Sequence, residues 1–136
     1  MRKCKNCKKD KPIEEYHYRN DIQKYRKKCK ECRRLHHYDY NLKRRYGISL
    51  KDKQSMFEAQ GKCCSICGKS GESHRGFHVD HCHTQEKIDK YKCVRGVLCN
   101  ECNAGLGMFK DNVHNMKKAV EYLEKFEEKL KREEDE

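Results

Sequence analysis

Four residues carry the chemistry this chain could perform: Asp80, His81 and His83 in the run HVDHCH, and Asn103 directly after a cysteine pair. A carboxylate and an amide oxygen are the hard donors that Mg2+ or Mn2+ accepts, and two protein ligands leave positions for waters and a phosphate oxygen. A neutral imidazole is a suitable general base near pH 7. Asp80 and His81 are neighbours, so in extended backbone their side chains diverge. One holds the cation while the other faces the water to be activated. His83 shares the face of His81 and can orient a scissile phosphate. The set suits phosphodiester hydrolysis, with Asp80 and Asn103 on the metal and His81 taking the proton. The metal would stabilise the departing 3′ oxygen.

Residues with such demands need a rigid frame, and the cysteines offer one. Cys64-x-x-Cys67 and Cys99-x-x-Cys102 bracket the histidine run, and Cys4-x-x-Cys7 and Cys29-x-x-Cys32 form a second set near the N-terminus. Two such pairs complete a tetrahedral Zn2+ site, and a site closed by four thiolates is structural rather than catalytic. A mixed site using His81 would leave one cysteine idle. A redox role is weakly supported, because no βαβ pattern surrounds a pair. The chain has 136 residues, 35% of them hydrophobic and 40% charged, so a large apolar core is excluded and metal staples are expected. The 11 cysteines are an odd number, which argues against a closed disulfide framework. Cys63, Cys82 and Cys93 have no assigned role. No signal peptide or membrane-length apolar run is seen, so a reducing, cytoplasmic setting is expected and no membrane partner.

The net charge of +11 is unevenly placed: residues 1–47 hold 17 Lys and Arg against 6 Asp and Glu, while residues 48–136 hold 16 of each. A basic block with embedded cysteine pairs implies a nucleic-acid partner. Within it, residues 8–12 read as a turn. Ile13, Tyr16, Tyr18, Ile22 and Tyr25 fit a short hairpin. Residues 33–46 read as a basic helix, with Leu35, Tyr38, Leu42 and Tyr46 at helical spacing and Gly47 as its stop. Arg33, Arg34, Lys43, Arg44 and Arg45 are its candidate DNA contacts, and His36 and His37 are expected at the surface.

Ser49 and Asp52 announce a capped helix ending by Gly61, with Leu50, Met56, Phe57 and Ala59 as its apolar side. A polar loop spans residues 69–76. Short strands are expected over 77–83 and 94–98, joined by a charged connector over 84–92. On the first strand, Phe77 and Val79 should face one side, His78 and Asp80 the other. A brief helix should start at Asn103. Asn112 should cap a last helix with Val113, Met116, Val120, Leu123 and Phe126 as its buried face. A solvated, frayed end is expected from residue 127. The expectation is a small, zinc-stapled α+β fold. Its units are a basic Cys4 DNA-binding module over residues 1–47, a nuclease domain over 48–126 and a charged end over 127–136.

The segments GKCCSIC (61–67), HVDHCH (78–83) and VRGVLCNECN (94–103) resemble the phage recombination endonuclease VII family, one of the His-Me finger, HNH-like ββα-metal nucleases. The likeness covers residues 46–126, and the N-terminal Cys4 block resembles a zinc-ribbon module found in front of some relatives. The resemblance implies His81 as general base, Asp80 and Asn103 on a divalent cation, and His83 assisting at the phosphate. It assigns Cys64, Cys67, Cys99 and Cys102 to structural zinc. It further implies a DNA substrate, branched or nicked forms included, in the cytoplasm of a bacterial or phage-infected cell, with a homodimer as one open assembly state. The competing expectation is a non-enzymatic double zinc-ribbon protein that binds nucleic acid. Pure binding has no need of Asp80, His81 and Asn103.

Overall fold

The structure, a computed structural model, describes residues 1–89 and 93–136. At the N-terminus, β1 (Arg2–Lys3) pairs antiparallel with β2 (Asp10–Lys11). The turn expected over 8–12 is therefore split. Lys8 turns with a φ of 60° and its amide closes on the Cys4 carbonyl, which frees Asp10 and Lys11 for strand pairing. A second hairpin joins β3 (Tyr18–Arg19) to β4 (Lys24–Tyr25). Tyr18 stands opposite Tyr25 with ring centroids 4.9 Å apart, edge to face, as the aromatic spacing suggested. The core beneath consists of Tyr16 and the thiols of Cys4, Cys29 and Cys32, and little else.

The basic helix α1 (Lys30–Tyr46) starts three residues earlier than expected, because Cys29 acts as its N-cap. It ends at Gly47, whose φ of 72° supplies the left-handed C-cap. Leu42 and Tyr46 are buried with Cys93 and pack against Ile48, Leu50, Val79 and Val94. The boundary expected at residue 47 thus follows a helix whose C-terminal half packs into the core beyond it.

Helix α2 (Leu50–Ala59) carries the expected capping box: Ser49 Oγ accepts from the Asp52 amide at 3.0 Å, and Asp52 accepts from the Ser49 amide at 2.8 Å. Asp39 of α1 also accepts from the Leu50 amide at 2.8 Å. The apolar side differs from expectation. Phe57 is buried, but Ala59 is exposed and Lys53 is buried in its stead. Lys53 Nζ donates to Tyr38 Oη at 2.7 Å and to the carbonyls of Phe77 at 2.7 Å and His74 at 3.2 Å. These three acceptors compensate the buried amine, whose pKa desolvation lowers to about 8. They also tie α1, α2 and the loop before β5 together.

The larger core holds Phe57, Phe77, Val97 and Leu98 beside Cys64 and Cys99. A side chain at Gly71 would meet the Phe77 ring at 2.6 Å, so that loop position requires glycine. Strands β5 (His78–His81) and β6 (Val94–Leu98) pair antiparallel, His78 opposite Leu98 and Asp80 opposite Gly96. His81 then pairs with Val94, so Arg95 is the extra residue of a β-bulge. The expected alternation fails here: His78 is exposed, Val79 half-buried and Asp80 buried.

The connector expected over 84–92 opens as a short helix, α3 (His83–Ile88); residues 90–92 of it lie outside the described residues. Helix α4 (Asn100–Met108) starts at the Cys99 N-cap, three residues before Asn103. Asn112 caps α5 (Val113–Glu134) as expected, accepting from the Asn115 amide at 2.9 Å. The buried face expected on α5 is not buried. Val113, Val120, Leu123 and Phe126 are all exposed, because none of the described residues covers that side. The charged tail is also no frayed coil: the helix continues through Glu134. Among the described residues no helix is long and apolar enough to cross a membrane.

Candidate active site and metal centres

Both four-cysteine clusters assemble as expected, and from the same two parts. The first pair of each sits in a tight knuckle. In one, the Cys4 amide donates to Lys9 O and the Lys8 amide to Cys4 O; in the other, the Cys64 amide donates to Lys69 O and the Gly68 amide to Cys64 O. The second pair opens a helix, with Cys29 capping α1 and Cys99 capping α4 at nearly identical backbone angles. In each cluster the four sulfurs lie within 4.8 Å of one another. The Cys4–Cys32 and Cys67–Cys99 separations are 3.9 and 3.6 Å. A tetrahedron of 2.3 Å Zn–S bonds has edges of about 3.8 Å, so both clusters fit zinc and neither is a disulfide.

The thiols are also electrically prepared. Burial opposes ionisation of Cys4 and Cys64, but backbone N–H groups outweigh it and pull each down to about 6. For Cys64 those amides are on Cys99, Cys67 and Ile66. Burial and the neighbouring thiols push Cys102 up to about 12. One thiolate forms readily and the next is resisted by the first, a conflict that a bound dication removes. Helix N-termini beneath Cys29 and Cys99 favour the same negative charge.

Directly beside the second cluster, a cavity of about 230 Å³ lies between α1, β5 and α4. His81 and Asn103 line it, together with Tyr46 and Arg45 of the basic helix. The Tyr46 ring packs tilted against His81 with centroids 5.0 Å apart, and the His83 ring lies 4.5 Å from that of His81. The structure thus brings His81 and Asn103 to one cavity and sets the His83 ring against that of His81. Asp80 shares β5 with His81, but it does not line this cavity, because its carboxylate is engaged elsewhere. Arg95 Nε donates to Asp80 Oδ2 at 2.7 Å, and an Arg95 terminal nitrogen donates to Oδ1 at 2.9 Å. The bulge at Arg95 makes this fork possible. The pair with Asp80 raises the already high pKa of Arg95 further.

Arg95 also reaches Asp111 Oδ1 at 3.4 Å, and Asp111 Oδ2 lies 3.2 Å from His83 Nδ1. Burial works against the Asp111 charge, but His83 and Arg95 hold its carboxyl below the usual range. Lys110 and Asp111 both have positive φ, 52° and 54°, at the corner between α4 and α5. Non-glycine residues in that region cost of order 1 kcal/mol, and here the strain delivers the Asp111 carboxylate to the network.

The sequence profile of the recombination endonuclease VII family matches residues 39–125, more than half of the chain, and takes in the second cysteine cluster with Asp80, His81, His83, Arg95, Asn103 and Asp111. The chain belongs to the recombination endonuclease VII family. It is also similar to the Gene 59 protein of Mycobacterium phage D29, 35% identical over 81 residues, which is 59% of this chain and 46% of that protein. The Gene 59 protein of Mycobacterium phage L5 is 37% identical over 79 residues, 57% of this chain and 44% of that protein. The chain thus spans less than half the length of the curated relatives it matches. No solved structure matches the chain significantly.

In this endonuclease VII family member the match begins inside α1 and takes in the site-lining Arg45 and Tyr46. Of the basic residues expected to meet DNA, Arg34, Lys43, Arg44 and Arg45 are exposed and Arg33 is half-buried. Lys43 is paired with Asp39 at 2.8 Å. His36 and His37 are at the surface, outside the cysteine cluster. Sequence reasoning missed Arg95, Asp111 and the place of Arg45 in the cavity. The signal for Arg95 was available, since an arginine amid Val94, Val97 and Leu98 must find a partner near the sheet.

Proposed function

We propose that the chain is a divalent-metal-dependent DNA endonuclease in which His81 is the general base and Asp80 and Asn103 hold Mg2+ or Mn2+. The observation that carries this reading is the shared cavity of His81 and Asn103 beside Arg45, with Asp80 the residue before His81 on β5. Each Asp80 oxygen accepts one N–H from Arg95 and keeps a further lone pair, so the carboxylate can take a cation without losing its clamp. When bound, the cation would neutralise charge at the scissile phosphate and at the leaving oxygen. His81 takes a proton from the attacking water, and Tyr46 packed on its ring fixes its orientation. His83, held by Asp111, assists at the phosphate. Water adds to phosphorus, the bond to the 3′ oxygen breaks, and the products carry a 5′ phosphate and a 3′ hydroxyl. Branched and nicked DNA are the forms of substrate to try first.

In this reading residues 1–47 supply affinity, and residues 48–126 the chemistry. Arg33, Arg34, Lys43, Arg44 and Arg45 present cations along α1. The β3–β4 hairpin adds a groove of about 580 Å³ lined by Arg2, Lys24, Arg26, Lys28 and Arg33. Burial, then the guanidiniums of Arg33 and Arg19, hold the Arg26 pKa below its ordinary value, a crowding that a phosphate chain relieves.

The test uses the whole chain, because α1 packs into the nuclease core. Replacing Lys24, Arg26 and Lys28 together by alanine should weaken DNA binding. If all three meet phosphates, the slope of log K against log salt should fall by about 2 to 3. Cleavage at low salt and high protein should persist, since none of the three lies at the cavity. Gel-shift titrations at several salt concentrations, with a cleavage assay alongside, read both. An unchanged slope would remove the hairpin from the DNA interface. Loss of cleavage by a protein that still binds would show that the hairpin serves the chemistry instead.

A further inference from the structure

We infer that a second cavity, next to the candidate active site, is a receptor for one unstacked nucleobase of the DNA strand. This cavity, of about 390 Å³, lies between α1, Lys53 of α2 and the loop before β5. Its size falls in the ~300–1,000 Å³ range of small-molecule sites. Tyr38 and His78 line it, and the same two residues line the cavity of His81 and Asn103. The two spaces therefore share a wall.

The lining suits a base with a phosphate on either side. Half-buried Leu35 and buried Phe77 supply apolar surface. Tyr38 adds an aromatic ring that is 37% exposed yet held in place, because Lys53 Nζ donates to its hydroxyl at 2.7 Å. A preset aromatic ring accepts any base, since every base has a π-face. Arg34 and Arg75, both exposed, bring the cations that flanking phosphates require. Arg75 is loosely held: it reaches Glu31 Oε1 at 3.5 Å, while Lys11 takes Oε2 at 2.9 Å. The described residues that line the cavity include no carboxylate. His74 also lines it, and its Nδ1 is buried with no hydrogen-bond partner among the described residues. Burial, then the cations of Lys53 and Arg75, hold this imidazole below its ordinary pKa and so neutral near pH 7. A small turn of the ring would offer that nitrogen to a base edge. An apolar peptide would use Leu35 and Phe77 but leave both guanidiniums idle.

A regular duplex keeps its bases in the stack, so only a base at a bulge, flap or branch point enters cheaply. A strand that seats such a base here crosses the shared wall and brings its adjoining phosphodiester toward His81. Tyr38 is then a specificity-determining residue that reads whether a base is out of the stack, whichever base it is. The link to cleavage rests on the nuclease reading; the binding of the base does not.

Fluorescence anisotropy of the full, zinc-loaded chain without added Mg2+ reads binding alone, so its outcome is separate from whether the chain cleaves. One probe is a labelled duplex with a single bulged adenosine. The other is the same duplex with an abasic residue at the bulge, alike in branching and charge. The wild type should bind the adenosine bulge about 5- to 150-fold more tightly, the range that one base–aromatic stack contributes. Tyr38→Ala should bind both probes alike, while Tyr38→Phe keeps the ring and should keep the preference. Tyr38→Ala also takes an acceptor from Lys53. Leu35→Trp is therefore the second variant: it fills the cavity, leaves the Lys53 bonds in place and should abolish the preference with unchanged zinc content. A wild type that binds both probes equally overturns the proposal. So does a preference that survives in Leu35→Trp or in a folded Tyr38→Ala.

Discussion

Replacing His81 by alanine should leave a protein that folds, keeps its zinc and binds DNA, yet cleaves it at least ~100-fold more slowly, within the ~10²–10⁴ range that a positioned general base contributes. The selectivity of the effect follows from the surroundings of His81. It lines the cavity, its ring against those of Tyr46 and His83, and belongs to neither cysteine cluster. Its removal takes the proton acceptor away from the attacking water and leaves Asp80 clamped by Arg95. Single-turnover cleavage, with zinc content and gel-shift affinity measured on the same preparation, separates chemistry from folding. A variant that cleaves near the wild-type rate would place the base elsewhere. His83, at 4.5 Å from the His81 ring, would be the first candidate.

The second large effect concerns zinc. Freshly purified protein should contain two zinc ions per chain, and stripping them with a strong chelator should unfold it. Structural zinc contributes roughly 10–16 kcal/mol in small domains, as much as or more than the ~5–15 kcal/mol by which a whole domain is stable. The two ends of the chain should not respond equally. Around the first cluster the core is Tyr16 and the cysteines themselves, so loss of that zinc leaves almost nothing to hold it together. Around the second, Phe57, Phe77, Val97 and Leu98 remain, and partial structure should survive. Cys4→Ser and Cys99→Ser, each with metal analysis and circular dichroism, resolve the two. A metal count below two, or helicity unaffected by chelation, contradicts the assignment of both clusters to zinc.

What could be read in the sequence was local. The cysteine spacings announced both clusters because a C-x-x-C pair defines its own turn, and Ser49, Asp52, Asn112 and Gly47 marked helix ends because caps act within one turn. What depended on distant partners was hidden. The 3.6-residue period of α5 is real, but periodicity says only that a face is apolar, not that this fold supplies a surface to cover it. Lys53 reads as a surface lysine until Tyr38, His74 and Phe77 are seen to offer it three acceptors. The bulge at Arg95 exists only in the pairing of β5 with β6, so the fork on Asp80 could not be foreseen from either strand alone. The basic helix looked like an appendage for DNA, whereas Leu42 and Tyr46 make its second half part of the wall of the candidate site.

The central claim is that this cavity hydrolyses DNA with a divalent cation. It is met most directly by incubating supercoiled plasmid and branched DNA with zinc-loaded protein, with and without added Mg2+. The account predicts nicked or linear products only when Mg2+ is present, with 5′-phosphate and 3′-hydroxyl ends. Intact DNA in Mg2+ and in Mn2+, with protein that carries both zinc ions and binds the same DNA, would contradict it.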